Sequence, residues 1–170
     1  MTITNLGQSL IEILVVILLI SISTTGLVST MLTSQQLSRS AVQTSDALNL
    51  AANLSNKMRL NSAEANEPQS EYLTKINSST IISTDCFGHI KCQQRSQALH
   101  DLLQWQIQLT QVLPNFQAEV CRDSSPGNSY LVKSSSCDND QESPMVIKIW
   151  WMNAHRSADL ALFYALEHSH

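Results

Sequence analysis

The sequence predicts an α+β chain: one long N-terminal helix ahead of a small domain made of a second helix and an antiparallel sheet. Three observations predict it. From Ile13 to Leu32 there is no charged residue, and Ile13 to Ile20 are all Ile, Leu or Val. A second stretch, Ser96 to Val112, sets Ala98, Leu102, Trp105, Leu109 and Val112 on one helical face, with Leu99 and Leu103 beside them and Ile107 off the stripe. The period then changes to two: Phe116, Ala118 and Val120 alternate with Gln117, Glu119 and Cys121, and Met145 to Met152 is the strongest strand signal in the chain. Strands that cluster after helices read as α+β.

The first helix is long enough to cross a bilayer. Twenty residues at about 1.5 Å each cover roughly 30 Å, the thickness of the hydrocarbon core. Ser21, Ser23, Thr24 and Thr25 dilute its second half, but helical hydroxyls bond back to their own chain. Glu12 stands at the entrance of the run. An acid deep in a bilayer costs about 2.5–3.5 kcal/mol and marks function, whereas at a helix start it only favours the dipole. Beyond Leu32 the helix continues. Leu37, Ala41, Thr44, Leu48, Ala51, Leu54 or Ser55, and Met58 recur at steps of three and four, and neither Pro nor Gly interrupts 27–67. A helix over 9–61 is about 80 Å long, with Asn61, Asn66 and Pro68 to end it. Its first half, 8–32, is apolar all round, its second, 33–61, is amphipathic, and 62–170 forms the globular domain.

Residues 62–97 read as loop. A polar linker over 64–71 is followed by an apolar patch, Tyr72-Leu73 and Ile76, and 78–82 is either a short strand or more loop. Pro114 ends the second helix. Ser125 to Asn128 signals a turn before a strand at Tyr130 to Val132. After loop over 134–143 and the strand from Met145, a turn at 153–157 precedes a last strand over 160–166, and the tail frays. Alternation puts Trp150 and Trp151 on opposite faces, one buried and the other exposed or at a subunit contact. Trp105 belongs to the core.

Composition narrows the function classes. The net charge is −4 and charged residues are only 14%, with no basic patch, so no nucleic-acid partner is expected. Cys86, Cys92, Cys121 and Cys137 all lie beyond the apolar segment. In an exported domain they read as two disulfides, with three pairings open and sequence neighbours, Cys86–Cys92 and Cys121–Cys137, expected. Cys86-x2-His89-x2-Cys92 has a metal-like spacing but no fourth ligand, so no metal is expected. His89, His100, His155, His168 and His170 read as solvated, and Lys57 and Arg59 as complements to the helix dipole. No phosphate loop, Gly-x-Ser-x-Gly elbow or His-Glu-x-x-His motif is present, so neither enzyme activity nor a cofactor is expected. Cleavage as an ordinary secretory signal, within Ser21 to Ser29, is an alternative fate for the apolar segment.

The run Gly7-Gln8-Ser9-Leu10-Ile11-Glu12 with its aliphatic block resembles a type IV prepilin signal. In that family a short leader ends in Gly, a prepilin peptidase cuts after it, and the fifth mature residue is Glu. Residues 1–7 then form the leader, Gly7 and Gln8 flank the cut, Gln8 is the N-methylated mature terminus, and Glu12 is the fifth residue. The leader is uncharged, and Gln8 stands where Phe or Met is usual. Later motifs resemble the type IV pilus modification protein (PilV) family of minor pilins. They are Asn56-Lys57-Met58-Arg59-Leu60-Asn61, Asp101 and Trp105 followed by Leu113-Pro114, Cys92 just upstream of that helix, and the strand Val146-Ile147-Lys148-Ile149-Trp150. The resemblance implies a single-pass inner-membrane prepilin that moves through the periplasm into a cell-surface pilus. It implies a role in pilus assembly or modification, twitching motility and attachment. The implied partners are prepilin peptidase, other major and minor pilins, the inner-membrane assembly platform and, before assembly, membrane lipid. In such filaments the mature amine is thought to pair with a neighbour's Glu at the fifth position, an expectation that falls on Glu12 as the register residue. A type II secretion pseudopilin and a pilus-tip adhesin, with its binding surface in the loops 62–97 and 122–143, are the alternative readings.

Overall fold

The computed structural model describes residues 6–83, 86, 92–125 and 137–151. The chain forms two compact units, Met1–Ala41 and Val42–His170. Its fold is α+β: a long apolar N-terminal helix, a further long helix and a small antiparallel sheet of three strands. The strands expected over 130–132 and 160–166, the turn over 153–157 and the C-terminal tail lie outside the described residues.

Helix α1 runs Leu6–Leu60. In the first unit every described side chain from Leu10 to Arg39 is exposed, including the whole aliphatic block. By length and composition this helix is able to cross a membrane. Several of its hydroxyls are satisfied within the helix. Ser21 and Ser23 donate to the carbonyls of Ile17 and Leu19, both at 2.7 Å. Thr24, Thr25 and Thr30 donate to the carbonyls three residues back at 2.8–3.0 Å. The second half of the run is therefore less polar to its surroundings than its composition suggests.

In the second unit α1 buries Ala47, Leu50, Ala51, Leu54 and Met58, with Ser55 beside them. The sequence stripe shares Ala51, Leu54 and Met58 with this face but places Thr44 and Leu48 on it. Thr44 is only half-buried, Leu48 is exposed, and Leu50 is buried instead. The apolar band is broad enough for two seams, and the seam through Leu50 and Leu54 puts more hydrocarbon into the core. Leu37 and Ala41, the first members of the expected stripe, are exposed in the first unit.

The region read as loop after α1 contains two short elements. Helix α2, Ser62–Ala65, is one turn, and β1, Lys75–Asn77, is a three-residue strand that lies just before the segment 78–82, for which the sequence allows a strand or loop. Helix α3 runs Gln94–Val112 and buries Ala98, Leu102, Trp105 and Leu109, while Ile107 is exposed. It ends where Leu113 turns extended (φ −112°, ψ 116°) ahead of Pro114, as the residue before proline must to avoid a clash. Asn115 then takes a left-handed φ of 49°, which asparagine tolerates, and the chain enters β2, Gln117–Arg122. The last described strand is β3, Met145–Trp150.

The sheet order is β1-β2-β3, antiparallel throughout. Ile76 pairs with Ala118, Ala118 with Ile149, and Val120 with Ile147. These residues share one face, which joins Leu54, Met58, Tyr72, Leu102, Trp105 and Phe116 in a single core. The other face of β2 and β3 holds Glu119, Cys121, Val146, Lys148 and Trp150, and it is buried as well. Both tryptophans at the end of β3 are therefore inside, each only 4% exposed. Trp151 joins the core and Trp150 lies on the second face, which corrects the expectation that one of the pair is exposed. The alternation holds, but a strand covered on both sides has no wet face on which to place either ring.

Trp105, 2% exposed, is the largest side chain on the core face of α3. Trp105→Ala is expected to destabilise the second unit by about 3–5 kcal/mol, to be read from the midpoint of chemical denaturation of the purified chain.

Candidate functional site

Gly7 and Gln8 lie in the first turn of α1, and Glu12 is exposed further along it. The next charged residue after Glu12 is Arg39. Glu12 is thus the single charge on the helical surface before Arg39.

A second constellation lies where the C-terminal end of α1 meets the start of α3, within the second unit. Asp101, buried on α3, receives three groups. Tyr72 donates its hydroxyl to Oδ2 at 2.9 Å, Gln97 donates to Oδ1 at 3.1 Å, and Lys57 Nζ stands 3.3 Å from Oδ1. Asn61 bonds the Tyr72 hydroxyl at 3.3 Å and the backbone carbonyl of Gln94 at 2.8 Å. Burial pushes the Tyr72 phenol above its ordinary range, and the Asp101 carboxylate acts in the same direction, while the bond from Asn61 pulls it back. A cleft of about 250 Å³ opens beside these groups, lined by Lys57, Leu60, Asn61, Gln94, Gln97 and Asp101, with Cys92 at its wall. Lys57 therefore does more than complement the helix dipole. Lys57, Asn61 and Asp101, which sequence reasoning treated as separate motif positions, meet in one place. Tyr72 and Gln97 were missed as their partners. Nothing local in the sequence signals either, although a buried tyrosine needs a partner for its hydroxyl.

Disulfides join Cys86 to Cys92 and Cys121 to Cys137, with Cα separations of 5.4 and 6.2 Å. Glu119 approaches the sulfurs of Cys121 and Cys137 closely enough to suggest a metal site. Both sulfurs are spent in the disulfide, however, and a metal is held by thiolate. The same holds for Cys86 and Cys92, whose intervening His89 lies outside the described residues. His100 is half-buried on α3 rather than solvated.

A third feature was not anticipated. Lys148, inside β3, forms an ion pair with Asp123 at the end of β2, and the two are 0% and 1% exposed at their side chains. The signal was present as a lysine in the middle of an apolar strand. Beside it, exposed Asp138 takes hydrogen bonds from the Ser124 hydroxyl and from its backbone N–H, which together hold its carboxyl at about 2. Comparison of the chain with family models, with curated proteins and with solved structures gives no match.

Asp101→Ala removes the acceptor of the buried Tyr72 hydroxyl and is expected to cost about 1–3 kcal/mol. Lys57→Ala should cost less, because that side chain is 37% exposed and screened. Paired denaturation curves separate the two. For Asp138, the folded carboxyl lies below its unfolded value of about 4. Its contribution is therefore present above that value and is lost as the pH falls through about 2. Ser124→Ala should bring the Asp138 titration, followed by NMR, back toward the ordinary carboxylate range.

Proposed function

We propose that the chain is a minor pilin: a structural subunit, not a catalyst, that takes part in assembling or modifying a type IV pilus. The observation that carries this reading is the first unit of α1. It presents an exposed aliphatic block followed by a stretch in which every hydroxyl given above is satisfied internally, and a single acid, Glu12, five residues into the chain that begins at Gln8. Such a helix is compatible with two surroundings, lipid before assembly and the packed helices of a filament afterwards. The α+β layout of the second unit is consistent with a pilin head domain. The leader 1–7 is removed by a prepilin peptidase, Gln8 is methylated, and the subunit passes from the inner membrane into the pilus, where it supports motility and attachment.

Glu12 has the role of setting register. An unpaired charge buried among apolar helices is costly, so a subunit is held where the Gln8 amine of a neighbour meets the carboxylate. Two measurements test the reading. N-terminal analysis of the mature protein should find methylated Gln8, and a start near residue 30 would remove the filament argument. Glu12→Gln and Glu12→Ala should lower incorporation into sheared filaments severalfold while leaving the membrane pool intact. Normal incorporation of both variants would rule out the register role.

A further inference from the structure

We propose that Lys148 and Asp123 close an intramolecular amide bond, a covalent clamp between β3 and the end of β2, with Glu119 as the proton carrier. The inference rests on the second unit alone and is independent of the pilin reading.

Lys148 sits in the centre of a strand whose six residues are all buried, and its own side chain is 0% exposed. Its ammonium contacts Oδ2 of Asp123. The Asp123 carboxyl is held in place from several sides. Its Oδ1 accepts the backbone N–H of Ser125 at 2.8 Å, and its own backbone N–H donates to the Pro144 carbonyl at 3.1 Å. The backbone of Lys148 is fixed by the β2–β3 ladder, in which its partner residue is Glu119. Directly opposed residues of an antiparallel pair project from the same face, with Cβ atoms about 4.5–5.5 Å apart. Glu119 is buried as well, and its Oε1 is 3.5 Å from Lys75 Nζ at the sheet edge.

Three conditions for condensation therefore coincide. An amine on β3 and a carboxyl on the residue that follows β2 are in contact. The residue opposed to Lys148 across the ladder, Glu119, carries a second buried carboxylate. Bulk water, which would favour hydrolysis, is excluded. Fixed intramolecular geometry corresponds to effective concentrations of about 10⁵–10⁸ M. A proton passed from Nζ to the Asp123 carboxyl gives the uncharged amine and acid. The nitrogen lone pair then attacks Cγ. Glu119 takes a proton from nitrogen and delivers it to the departing hydroxyl. One C–N bond forms, one C–O bond breaks and one water leaves, with no change in oxidation state. Two buried charges disappear, which removes the desolvation penalty that each imposes.

The test is a peptide map of the full chain, extracted in detergent, reduced, alkylated and digested with trypsin. Expected is one branched peptide, Asp123–Lys133 joined to Ser134–Arg156, lighter than the sum of its parts by one water and uncut after Lys148. Recovery of linear Asp123–Lys133 and Ser134–Lys148 as the main products overturns the proposal and leaves a plain ion pair. Lys148→Arg keeps the positive charge and should give only linear peptides. If that variant does not fold, the wild-type map decides alone. Glu119→Gln should lower the linked fraction at least tenfold in freshly made protein, and full linkage in that variant overturns the role given to Glu119.

Discussion

One buried carboxylate fastens the helical half of the second unit. Asp101 is the common acceptor for a cation at the end of α1, a phenol from the turn after α2 and an amide one turn back on α3. The buried phenol would otherwise lack an acceptor, and a carboxylate with two oxygens has the capacity to take all three groups. The consequence is geometric. The end of α1 cannot rotate without withdrawing Lys57 and Asn61, and α3 cannot slide without withdrawing Gln97 and Asp101. Shape complementarity between smooth aliphatic faces permits small slips, whereas a polar cluster of fixed stoichiometry permits few.

The sheet follows a different rule. One face of β2 and β3 is ordinary hydrocarbon, Ala118, Val120, Ile147 and Ile149 against the helices. The other is buried yet chemically mixed, with Glu119, Lys148 and Trp150 around the Cys121–Cys137 disulfide. Arg122, also buried, is used at the sheet margin, where its guanidinium donates to the carbonyls of Gln141 and Ser143 and holds that loop. Among the described residues, none of the three indole N–H groups meets an acceptor. The aromatic rings there act as volume, and the directional interactions are left to the charged groups.

Local periodicity was sufficient for much of this. The ends of α3 fall within two residues of the expected ones because a clear stripe meets Pro114, and the strands at β2 and β3 announce themselves by β-branched and alternating residues. The shorter elements were not legible. α2 and β1 are a single turn and three residues, too short for any period to emerge; Glu64 is held by the nearby backbone N–H of Glu71, and β1 exists because Ile76 finds its partner in β2. The rotation of the α1 face toward Leu50 is likewise a packing decision between two nearly equal seams. At the candidate sites, Gly7, Gln8 and Glu12 stand out because their signal is contiguous. Tyr72 with Asp101, and Lys148 with Asp123, do not, because the members of each pair are distant in sequence and nothing local says which partner each will meet.

The back-bonded serines and threonines of α1 have a consequence for how readily that segment changes company. Because their hydroxyls are occupied by carbonyls of the same helix, no hydrogen bond to a neighbour has to be broken when the surroundings are exchanged. Contacts along this stretch then reduce to dispersion, which varies smoothly with displacement. The segment is a lubricated surface, cohesive in any apolar setting and committed to none.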